Sequence, residues 1–134
     1  MSRVFGANNA AVLKNLAPWL TDEENRQYSE KKEVLYRRAC KTKPELLHLV
    51  PGTEDLLQYL QDHGIPFALA SASIISNIDF YFETFGLDRW FDKSQVVYDD
   101  GTYPNKGAMH LEAARRLGVD FAECMVIEDS ISSI

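Results

Sequence analysis

Phe67-Ala68-Leu69-Ala70-Ser71-Ala72-Ser73 sets a compact apolar run directly before a cluster of hydroxyls. With no polar alternation inside Phe67 to Ala70, the run reads as a short strand covered on both faces, the pattern of a parallel sheet. A helix is predicted immediately behind it, from Ile75 to Phe85 and ended by Gly86. Further along, Gln95 to Tyr98 reads as a second short strand, Gly107 to Leu117 as a helix ended by Gly118, and Met125-Val126-Ile127 as another buried strand. Upstream, Thr53 to His63 reads as a helix with Leu56, Leu57 and Leu60 on one face, and Gly64 stands where a left-handed helix end is wanted. Helices alternating with short apolar strands imply right-handed crossovers and a parallel sheet, so the fold class is α/β.

The first third of the chain has a different texture. From about Asn8 to Cys40 it reads as two helices, with Pro18, Trp19 and Leu20 at the corner between them. Thr21-Asp22-Glu23-Glu24 is a capping box: the Thr21 hydroxyl accepts from a first-turn amide, and Glu24 reaches back to the Thr21 amide. Within the second helix Tyr28, Lys32, Leu35, Tyr36 and Ala39 recur at helical spacing, so Lys32 interrupts a face expected to pack inward or toward a cleft. Lys32 either snorkels along that face or points into the cleft. The linker around Lys43-Pro44 divides a helical segment, residues 1–46, from an α/β unit, residues 47–134.

The bulk numbers set limits. The 134 residues are 46% hydrophobic and 25% charged, which suits a globular unit able to bury a core. A net charge of -6 argues against binding nucleic acid, which needs a basic surface. No run approaches the roughly 18 apolar residues of a membrane span, and Met1 to Asn9 lacks an apolar signal region, so a cytoplasmic protein with no membrane partner is expected. Cys40 and Cys124 lie far apart without CxxC spacing and read as reduced structural residues.

In open parallel sheets ligands bind at the carboxyl ends of the strands. Two such ends are unusual here. Ser71-Ala72-Ser73, followed by a helix start with unpaired amides, makes an anion site, or else one serine simply caps the helix. Glu128-Asp129-Ser130 closes the last apolar run, and its adjacent carboxylates suit magnesium, or else Asp129 or Ser130 is a helix cap. Lys106, in Pro104-Asn105-Lys106-Gly107, stands just before the helix that leads to that run and is either a point charge for phosphate or a solvated loop lysine.

The order and spacing of these features resemble the haloacid dehalogenase superfamily, in its beta-phosphoglucomutase-like branch. That family carries a serine or threonine after its second core strand, a lysine before its fourth and acidic residues at the end of the fourth. Leu69 to Ser73 with Ser71, Pro104 to Gly107 with Lys106, and Val126 to Asp129 are similar at each. The resemblance implies a partial Rossmann-like core over 47–134 with a helical cap over 1–46. It also implies a magnesium-dependent phosphatase or phosphosugar mutase for a small phosphorylated metabolite, acting through an aspartyl-phosphate. Under it Ser71 and the Ala72 amide hold the phosphoryl oxygens, Lys106 neutralises charge, Glu128 and Asp129 help hold Mg2+, and Lys32 faces the substrate from the cap. Lys106-Gly107 stands where the family usually shows Lys-Pro, and Asn8 and Asn9 stand where this branch often has arginine, which favours a phosphatase over a mutase.

The family's first motif, an apolar strand followed by Asp-x-Asp-Gly-Thr, has no match here. Met1 to Gly6 already resembles the first cap residues, and Asp99-Asp100-Gly101-Thr102 fails on register, because the nucleophile position falls on Tyr98. It reads instead as part of a turn-rich loop from Asp99 to Asn105. Ile134 precedes the helix and strand expected after Asp129. The chain alone is therefore expected to be inactive and marginally stable or self-associating through unpaired strand edges. The alternative is a noncatalytic anion-binding module, a degenerate relative or a fragment that needs a partner chain.

Overall fold

A computed structural model describes residues 9–129. Ser130 and the residues before Asn9, on which parts of the cap reading and the capping alternative fall, lie outside the described residues. Two helices, α1 (Asn9–Leu16) and α2 (Asp22–Lys41), form the first segment. Thr21 starts α2 through the expected capping box: its side chain accepts from the Glu24 amide at 3.2 Å, and its own amide donates to Glu24 Oε2 at 2.9 Å. A short turn at Pro44–Leu46 leads to α3 (Thr53–Asp62), after which Gly64 takes the left-handed conformation at φ 63°.

Strand β1 (Ala70–Ser71), helix α4 (Ile75–Phe85), strand β2 (Val97–Tyr98) and helix α5 (Lys106–Leu117) complete the α/β unit. The two strands pair in parallel, Ala70 opposite Val97 and Ser71 opposite Tyr98, as the alternation of elements requires. Gly86 and Gly118 close α4 and α5 in left-handed conformations at φ 60° and 71°. Ile78 and Phe82 of α4 pack with Leu87 and Val96, while Val97 packs with Met109 and Ala113 of α5. Burying an aliphatic side chain such as Ile78 or Val97 contributes about 1.5–3 kcal/mol, so these two clusters carry much of the fold.

Several expectations need correction. Phe67 to Ala70 is not a strand covered on both faces: only Ala70–Ser71 is laddered, Ala68 is exposed, and Phe67 and Leu69 are half-buried. Its sole described neighbour is β2, itself shortened to Val97–Tyr98, and Pro66 has no amide to donate. Met125-Val126-Ile127 forms neither a strand nor a buried run, with Met125 87% and Ile127 77% exposed. No described strand runs beside it, and an extended segment without a neighbour has no ladder to join. On α3 only Leu57 and Leu60 are half-buried, and Leu56 is exposed.

The expected face of α2 holds only in part: Lys32 and Tyr36 border a cleft, whereas Tyr28 and Leu35 are exposed and the covered stripe is Asn25, Ser29, Glu33, Arg37 and Cys40. Apolar spacing missed the covered stripe because hydrogen bonds from Asn9 and Asn77 to Glu33 tie that side of the helix to its neighbours. Finally, α5 begins one residue earlier than expected, so Lys106 is its first residue and not a loop residue.

Candidate active site

The Ser71-Ala72-Ser73 loop follows β1 and is tied to the next crossover by the Asp99 amide, which donates to the Ser73 carbonyl at 3.0 Å. Neither serine caps α4; the cap position is Ile74, which offers no side-chain bond. The Ser71 hydroxyl instead accepts from the Ser73 amide at 3.3 Å, folding the loop on itself. That leaves the first turn of α4 without a side-chain cap, and the partial positive charge of a helix start faces the loop. The Asp99-Asp100-Gly101 segment is a bend, as its composition suggests: Asp99 accepts from the Gly101 amide at 3.2 Å and Asp100 from the Thr102 amide at 2.9 Å.

Asn105 caps α5 by accepting from the Ala108 amide at 2.9 Å, which places Lys106 in the first turn. A cation there opposes the helix dipole. Glu128 offsets this: its Oε2 lies 2.5 Å from Lys106 Nζ, with side chains only 8% and 16% exposed. His110, one turn along α5 from Lys106, lies 3.9 Å from the same carboxylate oxygen. Burial, reinforced by the nearby Lys106 charge and opposed by Glu128, holds the His110 imidazole below its ordinary pKa.

From α2, Lys32 Nζ sits 2.5 Å from Glu33 Oε1. Glu33 is buried, and burial alone would raise its carboxyl. Bonds from Lys32, Asn77 and Asn9 outweigh that, so its pKa falls below the ordinary carboxylate value.

Lys32, Ser71, Ala72 and Lys106 all line one open cleft of about 290 Å³, together with Asn9, Glu33, Ser73 and Asn77. Its walls carry two lysines, two serines, two asparagines, the tyrosines Tyr36 and Tyr81 and the Glu33 carboxylate, which is already paired with Lys32, a polar lining that can take an anion bearing further polar groups. Glu128 and Asp129 do not line it; Glu128 stands behind Lys106, and Asp129 is exposed. Among the described residues no group of three or more His, Cys, Asp or Glu side chains is gathered around a metal position.

A family model for haloacid dehalogenase-like hydrolases matches residues 1–134. The chain belongs to that family. Among solved structures, this haloacid dehalogenase-like chain is similar to a family IA, variant 3 hydrolase of the same superfamily from Entamoeba histolytica. That match has a TM-score of 0.85 at 30% identity, covering 96% of this chain and 58% of that one. It is 40% identical over 90 residues to a bifunctional riboflavin kinase/FMN phosphatase of Arabidopsis thaliana, covering 63% of this chain and 23% of the relative. It is 27% identical over 105 residues to hexitol phosphatase B of Escherichia coli K12, covering 76% of this chain and 46% of that protein. The chain thus spans less than half the length of these curated relatives.

Glu33, Asn77 and His110 were not singled out by sequence reading. The signal for Glu33 was the polar spacing Asn25, Ser29, Glu33, Arg37, each four residues from the last. His110 lies four residues beyond Lys106 on the same helix face. Asn77 offered no signal, since one amide in an apolar helix is unremarkable until its partners are known.

Proposed function

We propose that the cleft is the phosphoryl-binding part of a magnesium-dependent phosphatase, in the cytoplasm, for a small phosphorylated metabolite. The supporting observation is that Ser71, Ala72, Lys106 and Lys32, separated by up to 74 residues in sequence, line a single cleft. In this reading residues 47–134 are the core and residues 1–46 the cap. The Ser71 hydroxyl and Ala72 amide donate to the phosphoryl oxygens, and Lys106 neutralises their charge. Lys32 adds a second cation from the cap side. The names of the relatives, a bifunctional riboflavin kinase/FMN phosphatase and a hexitol phosphatase, favour a phosphorylated small molecule and a phosphatase over a mutase.

Glu128 and Asp129 are hard oxygen donors of the kind magnesium takes, one or two carboxylates with waters and substrate phosphate completing the set. They would hold the ion; when bound, it supplies charge neutralisation of the phosphoryl oxygens. Lys106, already paired with Glu128, links that carboxylate to the cleft.

Residues 1–134 contain no Asp-x-Asp pair, so the aspartyl nucleophile that the resemblance requires is not among them. We therefore expect this chain to bind phosphate without turning over a phosphate ester. The same observation favours, as a second reading, a noncatalytic anion-binding module. Calorimetric titration with inorganic phosphate, with and without magnesium, tests the shared element. Binding by the wild-type chain that Ser71→Ala weakens several-fold supports the cleft, and binding unaffected by Ser71→Ala contradicts it. Magnesium-dependent hydrolysis of p-nitrophenyl phosphate by a longer chain that carries the nucleophile, but not by these 134 residues, favours the phosphatase over the module.

A further inference from the structure

Two residues of the covered stripe of α2, Glu33 and Arg37, meet at one residue of α4. Glu33, 5% exposed, uses both carboxylate oxygens: Oε1 accepts from Asn9 Nδ2 at 2.6 Å and pairs with Lys32 Nζ at 2.5 Å, and Oε2 accepts from Asn77 Nδ2 at 2.5 Å. Asn77 belongs to α4 and is 3% exposed. Its other end, Oδ1, accepts from Arg37 Nη1 at 2.6 Å, and the same nitrogen donates to Ser76 Oγ at 2.9 Å. One core amide is thus gripped at both ends by two α2 residues one helical turn apart.

The asparagine donates to Glu33 from its nitrogen and accepts from Arg37 at its oxygen, two separate atoms for which a serine offers a single, shorter-reaching oxygen. Burying such groups is costly unless they are paired, and both ends of the Asn77 amide are. It ties α2 to α4, alongside the bond that the Tyr81 hydroxyl donates to the Tyr36 hydroxyl at 3.2 Å. Lys32 follows, because its ammonium is held by the carboxylate that Asn77 holds.

We propose that Asn77 is a positioning residue for the cleft: through Glu33 and Arg37 it orients α2 so that the Lys32 ammonium faces the space lined by Ser71 and Lys106. Asn77 is not required to touch the bound anion. The proposal rests on the reading of Lys32 as a cap-side cation for phosphate.

The test is a double-mutant cycle on the 134-residue chain, with inorganic phosphate as the calorimetric probe. Lys32→Met and Asn77→Ser are each expected to weaken binding about three- to tenfold, the worth of one hydrogen bond or screened charge. The double variant is expected to bind no more weakly than either single one, because Asn77 acts only through Lys32. A purely structural Asn77 gives a multiplicative loss in the double variant, or none in Asn77→Ser, and either result overturns the proposal. If Lys32→Met binds as wild type does, the reading of Lys32 fails and this proposal with it; if Lys32→Met weakens binding and Asn77→Ser does not, only this proposal fails. Because Asn77→Ser leaves a buried carboxylate short of a donor, Arg37→Met provides a second cycle. Arg37 is only half-buried, and its removal keeps the Asn77–Glu33 bond; the same non-additivity with Lys32→Met is expected, and additive losses overturn the proposal.

Discussion

The Lys106 ammonium and the Glu128 carboxylate lie 2.5 Å apart with little solvent around either, at the start of α5 and the end of the last apolar run. Removing one partner of such a pair leaves a buried charge uncompensated, whereas replacing both is close to neutral. Lys106→Met is therefore expected to lower unfolding free energy by roughly 3 kcal/mol, and Lys106→Met with Glu128→Leu to recover most of it. Urea denaturation of the three proteins checks this; equal losses in the single and double variants count against the pairing.

Glu33 gives the chain a defined acid sensitivity. Its folded pKa lies below the ordinary 4.5, because bonds from Lys32, Asn77 and Asn9 outweigh the upward push of burial. With the folded pKa depressed, the unfolded chain binds more protons in this range. Its contribution is thus complete above about pH 4.5 and is lost as pH falls through the folded value. Glu33→Gln is expected to flatten this acid limb of the melting temperature while leaving its slope at neutral pH unchanged. A variant with the wild-type acid limb would mean that the carboxylate is not paired as described.

The two apolar clusters of the core predict a contrast between Ile78 and Leu111. Ile78 is 1% exposed on α4, and Leu111 is 54% exposed on α5. Ile78→Ala is expected to cost about 2–5 kcal/mol and Leu111→Ala no more than about 0.5 kcal/mol. Similar midpoints for both in urea would contradict the packing.

Met125, Val126 and Ile127 form a contiguous exposed apolar stretch, and among the described residues β1 pairs on one side only. Exposed apolar segments and open strand edges each favour association between copies. Light scattering is expected to show mass rising with concentration, and Met125→Lys with Ile127→Lys to suppress the rise. A monomer at all concentrations would remove self-association from the description.

What was legible in the sequence follows from where local chemistry decides the outcome. The Thr21 capping box, the left-handed end at Gly64, the helix ends at Gly86 and Gly118, and the parallel order of elements each depend on a few adjacent residues or on chain topology, and each was read correctly. Apolar runs were overread as buried strands, because burial at Phe67 to Ala70 and at Met125 to Ile127 depends on neighbours a sequence run does not name. Lys32, Ser71, Ala72 and Lys106 could be nominated individually, but their convergence is a tertiary fact. Glu33 and Asn77 escaped because their partners lie 24 to 44 residues away, and polar residues on a helix are read as solvated unless those partners are known.

The most direct measurement is an amide-resolved NMR titration of the 134-residue chain with inorganic phosphate. If the cleft is a phosphoryl site, the amides of Ser71, Ala72, Ser73 and Lys106 shift first and together, with one apparent affinity, and Ser71→Ala weakens that affinity for the whole set. Shifts confined to exposed lysines and arginines elsewhere, or none in the Ser71 loop at saturating phosphate, would contradict it.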